Sequence, residues 1–206
     1  MSSTRTTLRT AGVAVRAMLV ATLALGVGYT LLVTGIGQVL LPWQANGSAL
    51  TDRDGTVVGS ALIGQSFTDA AGDALPEYFQ SRSSAAGDGY DGGASSGSNF
   101  GPENTDLIAA IGERRAAVAA LEGVPESAVP ADAVTASASG LDPHISVAYA
   151  DLQVARVAAA RGLQVDVVAQ LVAQHTTGRD LGFLGDPRVD VLELNLALDA
   201  LSATGN

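Results

Sequence analysis

The chain has 206 residues, enough for one anchored domain. It contains no cysteine and no lysine, so all 11 basic residues are arginine. That excludes disulfide scaffolds, thiolate metal sites, cysteine nucleophiles, Schiff-base chemistry and the lysine of a Walker A loop. A formal net charge of −10 argues against a nucleic-acid partner, because phosphate binding rests on basic patches.

Residues 1–16 carry Arg5, Arg9 and Arg16, and residues 17–41 then run 25 positions without a charge up to Pro42. At ~1.5 Å per residue this stretch reaches roughly 37 Å, enough to cross a hydrocarbon core of ~30 Å. A cleaved signal has an apolar region of only about 7–15 residues, so an uncleaved anchor is the better reading. Basic residues concentrate on the side that stays in the cytoplasm. Residues 1–16 are thus read as cytoplasmic, 17–41 as a single transmembrane helix in the cell membrane, and 42–206 as an extracytoplasmic domain. That domain holds 8 arginines against 21 acidic residues, a net −13. Trp43 falls where an interfacial aromatic belongs. Within the span Thr22, Gly26, Thr30, Thr34 and Gln38 recur every fourth residue. Small and hydroxyl side chains permit close helix approach and hydrogen bonds across it, so this stripe is a candidate helix-packing face beside its contact with lipid.

Beyond the span, residues 49–63 read as a hairpin turning at Asp52–Gly55, since Asp-Gly is a strong turn signal. Residues 83–102 form a Gly/Ser-rich loop. Residues 103–122 have a helical period through Leu107, Ile108, Ile111, Val118 and Leu121. A second helix is predicted over 143–161, with Asp142 as its N-cap and Pro143 at the first helical position. A third covers 165–174. Residues 188–194 alternate with β-branched content and read as a strand, followed by a short helix at 196–201. A hairpin first and helices later, without a βαβ rhythm, gives an α+β class.

Two constellations have the letters of chemistry. Residues 87–92 spell G-x-G-x-x-G, but no strand precedes them, no helix opens after them, and Asp88 and Asp91 would repel a pyrophosphate; a solvated loop is expected. Ser137, Ser139, Asp142 and His144 supply the residues of a hydrolase triad, but they crowd into eight positions and no G-x-S-x-G elbow is present. His144 and His175 are the two histidines, too few for a zinc site, and no metal is expected.

The ordered motifs go further. Gln44-Ala45-Asn46-Gly47-Ser48, residues 59–65, Pro76-Glu77-Tyr78-Phe79 and Arg82-Ser83-Ser84-Ala85 come first. Ser96-Gly97-Ser98-Asn99-Phe100-Gly101-Pro102 follows, then residues 134–146 with Thr135, Ser137, Ser139, Gly140, Asp142, Pro143 and His144, and finally 185–199. In these segments the chain resembles the KdpC family, the C subunits of Kdp potassium-transporting ATPases. Ser83 stands where that family usually has proline. The resemblance implies a non-catalytic accessory subunit of an ATP-driven potassium uptake complex. Its partners there would be a channel-like potassium-binding subunit, a P-type ATPase subunit and a small membrane subunit. It implies that ATP and Mg act at the ATPase subunit, with no cofactor on this chain, and that the motif residues above serve structure or docking. A second family proposal is a catalytic chaperone that raises ATP affinity, resting on residues 96–99. An independent anchored sensor or ion-binding module is the alternative from another class.

Overall fold

In the computed structural model, residues 2–204 are described, with side chains from residue 6 to residue 201. Arg5, one of the three arginines behind the expected orientation, has its side chain outside that range. The chain divides into two compact units, Met1–Ser48 and Ala49–Asn206.

The first unit is helical. α1 (Ser2–Ala21) passes into a π-helical stretch (Thr22–Tyr29) and on into α2 (Thr30–Leu40). The segment Thr6–Leu40 is long and apolar enough to cross a membrane, and none of it is buried in protein. The i→i+5 bonding of a π-helix widens the turn, so Thr22, Gly26 and Thr30 lie nearer one line than on an α-helix. Thr30 Oγ1 donates to the Leu25 carbonyl at 3.3 Å, five residues back. Leu41 leaves helical geometry (φ −136°, ψ 55°), and Pro42 starts the short α3 (Pro42–Ala45) at a position where its missing N–H costs nothing. Gln38, the last residue of the expected packing stripe, is paired with Asn46. Its amide nitrogen donates to Asn46 Oδ1 at 3.4 Å, and Asn46 Nδ2 donates back to Gln38 Oε1 at 3.2 Å.

The second unit opens with the expected hairpin, β1 (Ala49–Thr51) antiparallel to β2 (Val57–Ser60). Asp52 Oδ1 accepts from the N–H groups of Asp54 and Thr56 and so shapes its turn. α4 (Thr105–Glu122) starts at Asn104, whose side chain accepts from Asp106 and Leu107, and stops at Gly123 with φ 67°, a conformation glycine enters without steric cost. A 3₁₀ turn (Glu126–Ala128) and the short α5 (Ala131–Val134) follow.

Residues 143–146 differ from the expectation. β3 (His144–Ser146) is a strand, and α6 (Val147–Arg161) begins only after it, capped by Ser146 Oγ accepting from Tyr149 N–H at 3.0 Å. Asp142 therefore caps no helix. Strand pairing wins here because His144, Ile145 and Ser146 face Asp190, Val189 and Arg188 of β5 (Arg188–Asp190), burying Ile145 and Val189 together. α7 (Val165–Gln174) falls where the sequence puts it, and β4 (Thr176–Thr177) adds to the other edge of β5, giving an antiparallel sheet ordered β3-β5-β4. The strand read over 188–194 is only its first three residues. Asp190 Oδ1 accepts from Glu193 N–H at 2.9 Å, and α8 (Val191–Thr204) starts there, absorbing the expected short helix.

The core lies among α6, α7, α8 and the three-stranded sheet. Tyr149, Ala150, Val154, Val157 and Ala158 of α6 meet Val168, Leu171 and Val172 of α7 and Leu194 and Leu198 of α8 around Phe79, which is fully buried. Phe79 arrives on an extended segment gripped by side chains. Gln153 Oε1 accepts from Gln80 N–H at 2.6 Å, and its Nε2 donates to the Gln80 carbonyl at 3.2 Å. Arg156 donates to the carbonyls of Pro76 and Tyr78, and Arg161 to that of Glu77. Arg156 also pairs with Glu122 at 2.9 Å, both side chains nearly out of solvent. Burial pushes the Glu122 carboxyl upward, and the guanidinium of Arg156 opposes this.

Candidate functional site

Three segments that carried the resemblance converge on one face. Leu62, Ile63, Arg82, residues 136–139 and residues 141–143 line an open groove of about 600 Å³, with Leu62, Ile63, Leu141 and Pro143 on its apolar side and Arg82 and Asp142 on its polar side. The contacts are backbone-close. Gly64 N–H donates to the Leu141 carbonyl, Ser96 N–H to that of Ser139, and Ser137 N–H to that of Ser83, each at 2.9 Å. Ser83 is thus tied by its carbonyl to residue 137.

Glycine is required at the crossing. A Cβ on Gly140 (φ 70°) would lie 2.7 Å from both Ala86 Cβ and the Ser96 carbonyl oxygen, and one on Gly97 would lie 2.7 Å from the Ala138 oxygen. Ser84 Oγ donates to the Gly140 carbonyl at 2.6 Å and accepts from the N–H groups of Ala86 and Tyr90. The 87–92 loop is largely solvated, as expected, with Gly87, Asp88, Asp91 and Gly92 exposed and Tyr90 half-buried as its tether. Ala86 is fully buried, and Tyr90 Oη donates to the Arg82 carbonyl at 2.8 Å. Burial pushes the Tyr90 phenol up to about 12, so it stays a donor.

The polar centre is Asp142. Its Oδ2 meets Arg82 at 2.9 Å, and its Oδ1 accepts from His144 N–H at 3.0 Å and lies 3.3 Å from His144 Nδ1. Burial alone would raise this carboxyl. The bonds from His144 and the charge of Arg82 outweigh it and hold Asp142 below the usual carboxylate range. Arg82 reaches on to the Thr135 and Ala136 carbonyls at 3.4 Å, and Thr135 Oγ1 donates to Ala131 O at 3.0 Å.

An Asp–His pair beside two serines has the residue types of a hydrolase triad, but both hydroxyls are engaged with the backbone of their own loop. Ser137 Oγ accepts from Gly140 N–H at 3.0 Å, Ser139 Oγ accepts from Leu141 N–H at 3.1 Å, and the two hydroxyls lie 3.1 Å apart. Ser137 is 1% exposed. Such hydroxyls tie a loop; a nucleophile needs its base within hydrogen-bond reach and an open approach. Among the described residues, no group of three or more His, Asp or Glu side chains is placed to hold a metal ion.

The structure thus brings Ser96, Gly97, Thr135, Ser137, Ser139, Gly140, Asp142, Pro143 and His144 into one layer. Ser98 and Asn99 remain on its exposed edge, Asn99 at φ 54°. Sequence reasoning did not pair Arg82 with Asp142, nor Asp132 with Ser146, whose N–H and Oγ both donate to that carboxylate at 2.7 and 2.8 Å. Only a lone charge inside a small-residue run hinted at either.

Residues 11–200 match the family model described as KdpC: K+-transporting ATPase, c chain. The potassium-transporting ATPase KdpC subunit of Gemmatimonas aurantiaca is 60% identical over 180 residues, covering 87% of this chain and 86% of that protein. The proteins of the same name from Kineococcus radiotolerans (56%, 93% of each chain) and Mycobacterium tuberculosis (54%, 89% of this chain and 94% of that one) are similar over comparable lengths. With an apolar helix ahead of a face built from three motif segments, and agreement along nearly all its length, the chain belongs to the KdpC family.

Proposed function

We propose that the chain is a non-catalytic accessory subunit of an ATP-driven potassium uptake complex. In this reading it holds together a channel-like potassium-binding subunit, a P-type ATPase subunit and a small membrane subunit. The carrying observation is the use made of the motif residues. Ser84, Ser137, Ser139 and Asp142 are all spent on fixing loops into a grooved surface, and none is poised to attack a substrate. A rigid, grooved face is what docking needs, because preorganised loops lose little entropy on binding. The span is proposed to cross the cell membrane once, with the N-terminus in the cytoplasm. Thr22, Gly26, Thr30 and Thr34 would face a neighbouring helix, and Gln38 would set the elbow at the end of the span. ATP and Mg act at the ATPase subunit. The chaperone reading requires residues 96–99 to meet ATP, and the same orientation puts them where no ATP pool exists.

The test is purification of the tagged full-length chain from native membranes with its companions identified, followed by potassium-stimulated ATPase activity per assembled complex. Companion transport subunits are expected. His144→Ala is expected to leave that rate within a few-fold, whereas removal of a general base costs ~10²–10⁴-fold. A hundredfold fall in an intact complex would overturn the non-catalytic assignment.

A further inference from the structure

Another cavity, of about 410 Å³, opens between α4, α5, α6 and the extended segment 80–83, and it falls within the size range of small-molecule sites. Its apolar walls are Ala117, Val118 and Leu121 of α4, Ala133 of α5 and the Tyr149 ring. Two polar side chains in it are buried yet not fully used. Tyr149 is 3% exposed, and its Oη makes no hydrogen bond with the described residues. Burial pushes that phenol upward, so it stays a proton donor. Gln80 is 8% exposed, and its Nε2 donates to the Phe67, Leu75 and Tyr78 carbonyls. Its Oε1 accepts from no described residue. Neither oxygen is sealed inside the core, and polar atoms at such depth ordinarily have partners. Two opposite charges line the same cavity, Arg114 and Asp73, and neither has an ion-pair partner among the described residues. Both are held in place. Arg114 Nη1 donates to the Val134 carbonyl at 3.2 Å, and Asp73 N–H donates to Asp69 Oδ1 at 2.9 Å.

We propose that this cavity binds a free α-amino acid with an apolar side chain. The lining selects that class. Arg114 and Tyr149 Oη donate to the carboxylate, Asp73 and Gln80 Oε1 accept from the ammonium, and the Val118–Leu121 wall takes the side chain. A simple anion, a phosphate ester included, would bring its charge beside Asp73, and a simple cation would bring its charge beside Arg114. An uncharged apolar compound would leave Tyr149 Oη and Gln80 Oε1 buried without partners. A zwitterion answers all four polar groups at once. The site is separate from the Arg82–Asp142 groove, with which it shares no lining residue, so it goes beyond the docking role proposed for that face.

The test is titration calorimetry and thermal unfolding of the full-length chain in detergent, with L-leucine, L-valine and L-phenylalanine as probes. At least one is expected to saturate the chain, with half-saturation below about 1 mM, and to raise its unfolding midpoint. The N-acetyl derivative of that amino acid lacks the ammonium, and its amide lacks the carboxylate. Each is expected to bind about tenfold more weakly or worse. Tyr149→Phe keeps the ring in the core and removes only the hydroxyl, and Arg114→Gln removes the cation. Each is expected to weaken binding by about tenfold, with the ligand-free midpoint near that of the unsubstituted chain. Glu113→Gln, exposed on α4 outside the cavity, is expected to leave binding unchanged. No saturable binding of any of the three amino acids overturns the proposal. So does equal binding of the derivatives, or unchanged affinity in the folded Tyr149→Phe or Arg114→Gln chain.

Discussion

Asn195 pairs with the backbone of Phe79 as a neighbouring strand would, accepting from its N–H at 2.9 Å and donating to its carbonyl at 3.0 Å. With Asn195 1% exposed and Phe79 fully buried, no solvent can replace either bond. Asn195→Ala strands two buried backbone groups, each costing about 1–3 kcal/mol, so the loss is expected at about 2–5 kcal/mol. Denaturant unfolding of the full-length chain in detergent measures it. A change below about 1 kcal/mol would mean that the segment finds other partners.

Asp190 is buried, and burial with help from the nearby Glu193 carboxylate pushes it up to about 6, against the Glu193 and Leu192 N–H groups and His144. The unfolded chain has the ordinary value near 4, so between about pH 4 and 6 the folded chain holds the extra proton. Stability is therefore expected to fall as pH rises through that window and to level off above it. Asp190→Asn keeps an acceptor for the α8 cap and removes the charge. It should gain up to about 3 kcal/mol at pH 7.5 and flatten the profile. Thermal midpoints across pH 4–8 for both chains decide the matter.

Gly140→Ala places a methyl on Ala86 and the Ser96 oxygen and forces an L side chain to φ 70°. A cost of about 2–4 kcal/mol is expected, with faster proteolysis in the 86–96 loop. Gly101 has open space around it, so Gly101→Ala should stay within about 0.5 kcal/mol. Equal melting of the two variants would show that the three segments do not depend on this crossing.

Ala70 is exposed on the second unit, and the chain has no cysteine of its own. Under the proposed orientation, Ala70→Cys should react with a membrane-impermeant thiol reagent in intact cells. Labelling only after lysis would put the domain in the cytoplasm and restore the chaperone reading.

Much of the fold was legible because its signals are local. Asp54-Gly55 marks the hairpin turn, and the 3.6 period finds α4 and α7 with their ends. Asp142-Pro143 misled because it has the form of a helix start; only the distant β5 makes His144–Ser146 a strand and hands the cap to Ser146. Residues 188–194 misled because seven positions are too few to separate a period of 2 from one of 3.6 when Val189, Val191, Leu192 and Leu194 are all buried. The motif segments could be read as a set, but their meeting could not. It depends on which glycines let two backbones touch. The grip of Gln153 and Asn195 on residues 79 and 80 had no signal at all, since a side chain imitating a strand leaves no periodic trace.

That grip also sets the order of events during synthesis. Phe79 and Gln80 are closed by residues 73 to 116 positions further along, and the late partner is α8. Contacts so far apart in sequence form slowly. The apolar helix and the hairpin leave the ribosome long before α8 exists, so a chain anchored as proposed would be tied to the membrane while its core still gapes. Quality-control proteases thus meet an open domain for as long as translation lasts. A chain cut short before α8 would keep its membrane segment and never close, a form suited to prompt degradation and not to a place in an assembly.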